Sequence, residues 1–228
     1  MSVDKDPGLP EDAREISRRS RIYHVLLALL FLLMALQPYA HVAGGLLSQL
    51  GFAGLLLAGL AAVASKRRLF AIGLVLGVPA VALLFVPGGI STVSGAILAI
   101  ATLIYISFVI LRRIFTHPAV TSGTVSAALV VYLIFGVIWA RAYWLVEYLR
   151  PDSFTGLSGS GGAILQRDLF YYSYVTLSTL GYGDIGPVSA VARSLAITEA
   201  TIGQLYLVVM VAGLVGLNLS ERQRRRQE

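Results

Sequence analysis

The sequence predicts an all-α membrane protein with six transmembrane helices. Of its 228 residues, 57% are hydrophobic and 13% are charged, and the mean hydropathy is +0.78. An ordinary soluble domain carries about 25% charged residues, so this composition is typical of a chain embedded in lipid. A helix needs roughly 20 mostly apolar residues to cross a bilayer. Six stretches approach that length, at about 22–42, 46–64, 69–87, 90–111, 123–148 and 189–217.

Basic residues alternate between the connections of these spans. They occur in the leader, the second connection, the fourth connection and the tail, whereas the first and third connections have none. Short cytoplasmic loops are enriched in Lys and Arg, so both termini are predicted to be cytoplasmic and the long connection from about 149 to 188 to lie outside. The basic positions are Arg14, Arg18, Arg19, Arg21, Lys66, Arg67, Arg68, Arg112, Arg113, Arg222, Arg224, Arg225 and Arg226.

The polar leader, residues 1–21, carries charges of both signs and has no small-residue cleavage site. We therefore expect a retained anchor at the first span instead of a cleaved signal peptide. Residues 22–115 predict a domain of four closely packed helices, because Gly, Ala and Leu dominate it.

Several classes of function are disfavoured by what the chain lacks. It has no Cys and only 3 His, which argues against a disulfide framework and a transition-metal site. The net charge of +6 does not indicate nucleic-acid binding, because the basic residues flank apolar spans instead of covering a soluble face. No nucleophile–base pair or carboxylate pair occurs at a useful spacing, so we expect no enzyme, no catalytic residues and no organic cofactor.

The long connection contains a loop and a short apolar helix. Residues 150–162 are rich in Gly, Ser and Pro and predict a mobile external loop. Asp168 is placed to cap a short helix over 169–177, because a carboxylate accepts orphan N–H bonds at a helix start. That helix is too short to cross the membrane, so we expect it to dip inward and to end near Thr179.

The next stretch, TLSTLGYGD at residues 176–184, interrupts the apolar sequence with polar and flexible residues. Non-helical backbone at membrane depth is tolerated only when it is buried in protein or faces a water-filled path. Gly181 and Gly183 permit dihedral angles that other residues avoid, so the carbonyl groups from Thr179 to Tyr182 can all face one axis. Such a row of carbonyl dipoles can replace the water shell of a cation, which predicts a site for a dehydrated monovalent ion.

TLSTLGYGD resembles the selectivity filter of the potassium-channel pore family, with Leu180 where that family most often has Val. The resemblance covers about residues 123–218 and includes IGQLYLVVMVAGLVG at 202–216, which is similar to the inner helix of bacterial members. It implies a homotetrameric channel in a bacterial inner membrane, with K⁺ as the permeant ion. The residues it implies for ion binding are Thr179, Leu180, Gly181, Tyr182 and Gly183, with K⁺ at the first four and the Thr179 hydroxyl completing the innermost position.

The resemblance also implies roles for residues around the filter. Tyr171 and Tyr172 are similar to an aromatic cuff that braces Tyr182, although interfacial aromatic residues are an alternative. Thr176 matches a hydroxyl at the inner mouth, and Asp184 matches the external carboxylate that anchors the filter. Gly203 falls where the inner helix of the family often has a hinge glycine, and helix packing accounts for it equally well.

Glu199 has no counterpart that the filter motif explains. It lies about ten residues into the sixth span, where a carboxylate costs roughly 2.5 to 3.5 kcal/mol or more unless it has a partner. The candidate partners are Arg141, Arg193 and the hydroxyl groups behind the filter. Our hypothesis is that Glu199 braces the pore helix and tunes inactivation, with pH as a candidate signal; the alternative is a purely structural bond.

These features divide the chain into a cytoplasmic leader (1–21), a four-helix domain in a sensor-like position (22–115), a pore domain (116–219) and a short basic tail (220–228). The fourth span carries no Arg before Arg112, whereas voltage-sensing helices carry several, so we expect weak or no voltage dependence. The tail is explained as a stop-transfer flank or as a site for anionic lipid headgroups. We expect this tail to encode no soluble regulatory module.

Two other functions remain open on the sequence alone. A weakly selective cation channel is disfavoured by Tyr182, which less selective relatives usually lack. An ion-translocating transporter subunit tends to carry four divergent pore loops in one chain, whereas this sequence contains one.

Overall fold

A computed structural model describes residues 11–39, 46–64, 67–86, 88–116, 122–159 and 161–227 of the protein. Within these ranges the chain forms seven α-helices and one two-stranded antiparallel ribbon. The helices are α1 (Glu11–Leu36, continued by a 3-10 turn at Gln37–Tyr39), α2 (Leu46–Val63), α3 (Arg67–Leu84), α4 (Gly89–Thr116), α5 (Ser122–Leu149), α6 (Gly162–Leu177) and α7 (Ala190–Gln227); the strands are β1 (Phe154–Thr155) and β2 (Gly186–Pro187).

Five of the described helices are long and apolar enough to cross a membrane, which confirms the all-α membrane architecture. The second predicted span also forms a helix, α2, but its apolar stretch Gln49–Val63 is shorter than the others. A count of six spans therefore stays a prediction. The five stretches are Ser20–Tyr39, Arg67–Leu84, Gly89–Thr116, Ser122–Leu149 and Ala190–Gly216.

The main apolar core lies among α1, α2, α4 and α5, where large side chains from all four helices are fully buried. Small residues let α3 approach this layer closely. A Cβ atom added to Gly73 or Gly77 would lie 2.7 Å from a methyl group of Leu60 on α2. These two glycines, one turn apart, therefore form a helix contact face. Fully buried core residues include Leu26, Leu30, Leu56, Leu103, Ile106 and Ile134.

Arg113, in the last turn of α4, contacts the C-terminal end of α2. Its guanidinium donates hydrogen bonds to the carbonyl oxygens of Ala62 at 2.8 Å and Val63 at 3.2 Å. The last carbonyl groups of a helix lack partners within the helix, and Arg113 satisfies two of them. Its positive charge is also attracted by the partial negative charge at this end of α2.

The segment after α5, residues 150–159, is tied down, so the expectation of a mobile loop is wrong for these residues; we call it the ribbon loop. The Glu147 carboxylate at the end of α5 accepts hydrogen bonds from the backbone N–H groups of Asp152, Ser153 and Phe154, at 2.9 to 3.1 Å. Strand β1 then pairs with β2, with Phe154 opposite Pro187. Three charge-assisted bonds and the strand pairing offset the entropy that a Gly- and Ser-rich segment loses on ordering.

The prediction that Asp168 caps a helix is also wrong. Helix α6 begins at Gly162, with Gly161 at the N-cap position, so Asp168 lies inside the helix. The helix extends before Asp168 because Leu165 is buried in an apolar cluster that includes Tyr143, Leu169 and Tyr172. The Asp168 carboxylate instead accepts a hydrogen bond from the N–H of Ser158 at 2.7 Å and pairs with Arg167 at 2.8 Å, which ties the ribbon loop to α6.

Candidate functional site

Helix α6 ends before a threonine whose backbone has the left-handed conformation. The N–H of Thr179 donates to the carbonyl of Thr176, and the N–H of Leu180 donates to the carbonyl of Val175, both at 3.0 Å. This pair of bonds is a common helix ending in which the residue after the cap takes a positive φ and is usually glycine. Here that residue is Thr179, with φ of 58°. A β-branched residue rarely adopts this conformation, so the sequence does not indicate it.

Positive φ recurs at every second residue beyond the helix, at Thr179 (58°), Gly181 (59°) and Gly183 (78°). Leu180 and Tyr182 lie between them with negative φ. In a strand, successive carbonyl groups point to opposite sides. When the sign of φ alternates, each peptide plane is turned relative to the strand pattern, and successive carbonyl groups can face the same side. We call residues 179–183 the alternating segment.

One side of the alternating segment has no cover within a single chain. Leu180 is 59% exposed and Tyr182 is 67% exposed. A Cβ atom added to Gly181 or Gly183 would meet no atom within 4 Å. The segment therefore has free surface available for an ion path or for further protein.

Gln204 on α7 contacts the inner end of the alternating segment. Its Nε2 donates to the Oγ1 of Thr179 at 3.3 Å. Gln204 is a site residue that the sequence does not reveal, because a glutamine in an apolar helix gives no signal for a partner 25 positions away. Thr176 is half-buried in the last turn of α6, one turn after Tyr172.

The two adjacent tyrosines of α6 have different surroundings. Tyr172 is buried, and its ring packs edge-on against Tyr143 at 5.0 Å and Phe154 at 5.4 Å between centroids. Tyr171 is partly exposed, and its hydrogen bond to Asp184 raises the pKa of the Tyr171 phenol. Among the ring pairs of described residues, none joins either tyrosine to Tyr182 within one chain. Bracing of Tyr182 by these rings therefore stays a prediction.

The ribbon loop holds the outer end of the segment by direct backbone contact. Gly156 has φ of 80°, and a Cβ atom added there would lie 1.9 Å from the carbonyl oxygen of Asp184. The carbonyl of Ser153 also accepts a hydrogen bond from the N–H of Val188 at 2.8 Å. The backbone of Asp184 is thus in close contact with the ribbon loop, and its carboxylate interacts with Tyr171.

Glu199 on α7 is fully buried, and hydroxyl groups are its partners. Its Oε2 lies 2.5 Å from the hydroxyl of Tyr143 on α5, and its Oε1 lies 2.5 Å from the hydroxyl of Ser173 on α6. The two arginine alternatives are wrong. Arg141 lies 4.0 Å from the ring centroid of Phe52, and Arg193 donates to the carbonyl of Pro187 at 3.2 Å.

The hydrogen-bond geometry around Glu199 requires three protons. The Ser173 hydroxyl contacts the carbonyl oxygen of Gly136 at 2.8 Å as well as Glu199. Tyr143 and Ser173 supply one proton each, so an ionised Glu199 leaves one of the three contacts without a proton. A neutral Glu199 donates to Ser173, Ser173 donates to Gly136, and Tyr143 donates to Glu199. The arrangement favours a neutral carboxyl group that acts as both donor and acceptor.

Gly203 lies where α7 crosses the end of α6. A Cβ atom added there would lie 3.0 Å from the carbonyl oxygen of Leu177 and 2.8 Å from its Cδ1. Helix α7 is continuous through this position, and the hydroxyl of Tyr206 donates to the carbonyl of Ala128 at 2.7 Å, which ties α7 to α5. The contact accounts for a glycine through packing, and a hinge at Gly203 stays a prediction.

Comparison with known proteins places this region in a family. Residues 127–218 match a family described as "Ion channel". This range contains the alternating segment, all of α6 and most of α5 and α7. No solved structure matches the chain at a significant level.

Three curated relatives are potassium channels by name. The inward rectifier potassium channel Kirbac3.1 of Paramagnetospirillum magnetotacticum is 34% identical over 82 residues, which cover 34% of this chain and 24% of that protein. The voltage-gated potassium channel Kch of Escherichia coli is 30% identical over 122 residues, covering 51% of this chain and 25% of that protein. Two-pore potassium channel 4 of Arabidopsis thaliana is 36% identical over 92 residues, covering 40% of this chain and 28% of that protein.

The chain thus spans about a quarter of the length of the curated relatives it matches. All three relatives are ion channels, not enzymes. The part of the chain that they share with it is the part that holds the alternating segment, and through this part the chain is similar to potassium channels.

Proposed function

We propose that this chain is one subunit of a potassium-selective channel that conducts K⁺ passively across the membrane. The observation that carries the proposal is the alternating sign of φ from Thr179 to Gly183. A filter that conducts K⁺ offers rings of backbone carbonyl oxygens in place of the hydration shell of the ion. In our proposal the carbonyl groups of Thr179, Leu180, Gly181 and Tyr182 bind K⁺, and no other cofactor takes part.

The functional unit in this proposal is a homotetramer, because one segment supplies only a quarter of each oxygen ring. The exposure of Leu180 and Tyr182 in one chain supports it. Large apolar side chains of α7 are also exposed, among them Ile197 at 69%, Val208 at 65% and Val211 at 61%. In the assembly these surfaces would contact lipid or neighbouring subunits.

The end of α6 supplies an electrostatic argument for a cation. The C-terminal end of a helix carries a partial negative charge from its summed peptide dipoles. Helix α6 ends at Leu177, two residues before the alternating segment begins. Four such ends around one axis would favour a cation at the inner end of the filter.

We propose further that residues 22–115 form a peripheral four-helix domain and that residues 116–219 form the pore domain, in an inner membrane of bacterial type with both termini cytoplasmic. The guanidinium of Arg113 is engaged by α2 carbonyl groups, which supports weak or no voltage dependence of the fourth span. Residues 1–10 of the leader lie outside the described residues. So do the side chains of the basic tail that would bind anionic headgroups, those of Arg222, Arg224, Arg225 and Arg226.

The test is reconstitution of the full chain in liposomes. We expect K⁺ flux well above Na⁺ flux, block by barium, and four copies per particle in native mass spectrometry. Gly216→Ala is a matched control, since its added Cβ meets open space on α7, and it should conduct as the wild type does. Equal passage of Na⁺ and K⁺, or a monomer in the bilayer, would overturn the proposal.

A further inference from the structure

A small cavity lies between the peripheral helices and the pore helices, on the side of the bundle where α1 and α5 end and α6 begins. Its volume is about 30 Å³. Three half-buried polar side chains line it, so it opens to the surface of the chain. These are Gln37, Arg141 and Gln166, and the apolar part of the lining includes Phe52, Trp144 and Phe170.

Arg141 brings a positive charge to this cavity without a matching negative one. Its only described contact is the ring of Phe52, 4.0 Å away, and within the described part of the chain no group accepts a hydrogen bond from it. Among the described residues, no acidic side chain lines the cavity. The acidic residues of α5 and α6 are engaged elsewhere, since Glu147 binds the N–H groups of the ribbon loop and Asp168 binds Ser158 and Arg167.

Trp144 also lines the cavity, and its indole N–H is a second donor without a partner among the described residues. Its side chain is 6% exposed. A buried donor without a partner costs about 1 to 3 kcal/mol. The cavity therefore combines a guanidinium and two amides, with the unpartnered indole N–H buried beside it, and an anionic acceptor would match the guanidinium.

We propose that this cavity binds a phosphate group, with two phosphate oxygens held by the guanidinium of Arg141. The planar fork of Arg matches two oxygens of a phosphate better than the point charge of Lys does. One water needs about 10 to 15 Å³ of such space, so the cavity admits two oxygen-sized groups and not a whole headgroup. A phosphodiester at the mouth of the cavity meets this requirement. The proposal does not depend on ion conduction.

The surroundings indicate a phospholipid as the source of the phosphate. Arg141 precedes the end of α5 at Leu149 by eight residues, or about 12 Å of helix, and its long side chain can reach towards the interface. The rings of Trp144 and Tyr148 stack at 5.1 Å over the same stretch, as aromatic side chains at headgroup level do.

The experiment measures the thermal unfolding midpoint of the purified full chain in detergent after addition of phosphatidylglycerol, phosphatidylcholine or inorganic phosphate. Three proteins are compared: wild type, Arg141→Gln and Arg193→Gln. Arg193 is the matched control because it is exposed, lies in the first turn of α7 and is outside the cavity lining. We expect phosphatidylglycerol to raise the midpoint of wild type and Arg193→Gln by about 4 °C, and that of Arg141→Gln by less than a quarter as much.

The additions of inorganic phosphate and phosphatidylcholine distinguish the possible sources of the bound phosphate group. An equal rise with inorganic phosphate would support the phosphate site and assign it to the free ion. An equal rise in Arg141→Gln, an equal rise with phosphatidylcholine, or no rise in wild type would overturn the proposal and leave water as the occupant. If Arg141→Gln fails to fold, Arg141→Lys and Gln166→Leu are measured in the same way. The proposal requires both to reduce the rise, and an unchanged rise in both overturns it.

Discussion

The carboxyl group of Glu199 on α7 lies 2.5 Å from the hydroxyl of Ser173 on α6. The same carboxyl group lies 2.5 Å from the hydroxyl of Tyr143 on α5. One buried side chain thus joins α5, α6 and α7. A carboxyl group is costly inside a membrane unless its hydrogen bonds are complete, so this junction should contribute to stability only in the protonation state that completes them.

Glu199→Gln should preserve the junction, because the amide can donate to Ser173 and accept from Tyr143. We expect its unfolding free energy to lie within about 0.5 kcal/mol of wild type. Glu199→Ala should lose about 2 to 5 kcal/mol, since two buried hydroxyl groups lose their partner and a cavity forms. Thermal unfolding in detergent compares the two variants. A Gln variant as unstable as the Ala variant would contradict the neutral carboxyl group.

The same Gln variant tests whether Glu199 tunes inactivation. Gln cannot ionise, so any response of the filter to the charge on residue 199 should disappear. We expect the open probability of the wild type to change between about pH 5 and about pH 9 and that of Glu199→Gln to stay flat, because an ionised carboxylate leaves a contact of Ser173 without a proton. Single-channel recording measures both. An identical pH response in the two proteins would leave Glu199 with a structural role only.

Gly181→Ala should abolish conduction while the subunit still folds. Position 181 has φ of 59°, and a left-handed conformation costs a residue with a Cβ roughly 1 to 2 kcal/mol, a cost that recurs in every subunit of the proposed tetramer. The alanine should relax to negative φ and turn one ring of carbonyl groups away from the axis. We expect K⁺ flux in liposomes to fall at least about 100-fold, the equivalent of roughly 2.7 kcal/mol in transport barrier. Wild-type flux in Gly181→Ala would contradict the role of the alternating segment.

Gly156→Ala should separate the ribbon loop from Asp184. The added Cβ would lie 1.9 Å from the carbonyl oxygen of Asp184, so the backbone of one of them must move. We expect a loss of more than about 2 kcal/mol in stability together with weaker K⁺ selectivity. Gly159→Ala in the same loop is the control, since its Cβ would meet Ile164 at an ordinary 3.7 Å. Equal behaviour of the two variants would show that the contact has no role.

Gly203→Ala distinguishes packing from hinge bending. The new Cβ would press on Leu177 at 2.8 to 3.0 Å, and overpacking of this kind costs about 1 to 3 kcal/mol. If packing is its role, the unfolding midpoint falls. Gly213→Ala, whose Cβ would lie 3.8 Å from Phe115, should show no such loss. An unchanged midpoint with an altered open probability would instead favour the hinge.

Local backbone requirements could be predicted from the sequence. The positive φ angles at Gly181 and Gly183 follow from the fact that glycine alone adopts them without cost, and two such residues close together in an apolar chain indicate a non-helical backbone. The all-helical membrane architecture was equally accessible, because it depends on composition and on span length.

The parts that sequence could not supply depend on distant contacts. Three N–H groups of the ribbon loop bind Glu147, and no local pattern announces that carboxylate as their acceptor. In the sequence Asp168 resembles a helix cap because the residues before it are only weakly apolar, yet burial of Leu165 extends the helix past it. The position of Glu199 in an apolar span indicates that it needs a partner, but the choice between arginine and hydroxyl groups depends on the relative rotation of three helices.

Thr179 ends one structure and begins another. Its N–H and that of Leu180 make the hydrogen bonds that close α6, and its positive φ is the first of the three in the alternating segment. A change of Thr179 to negative φ must therefore break the last turn of the helix at the same moment. Failure of the filter at this end is therefore expected as a single cooperative step, in which the helix ending and the first positive φ of the segment are lost together.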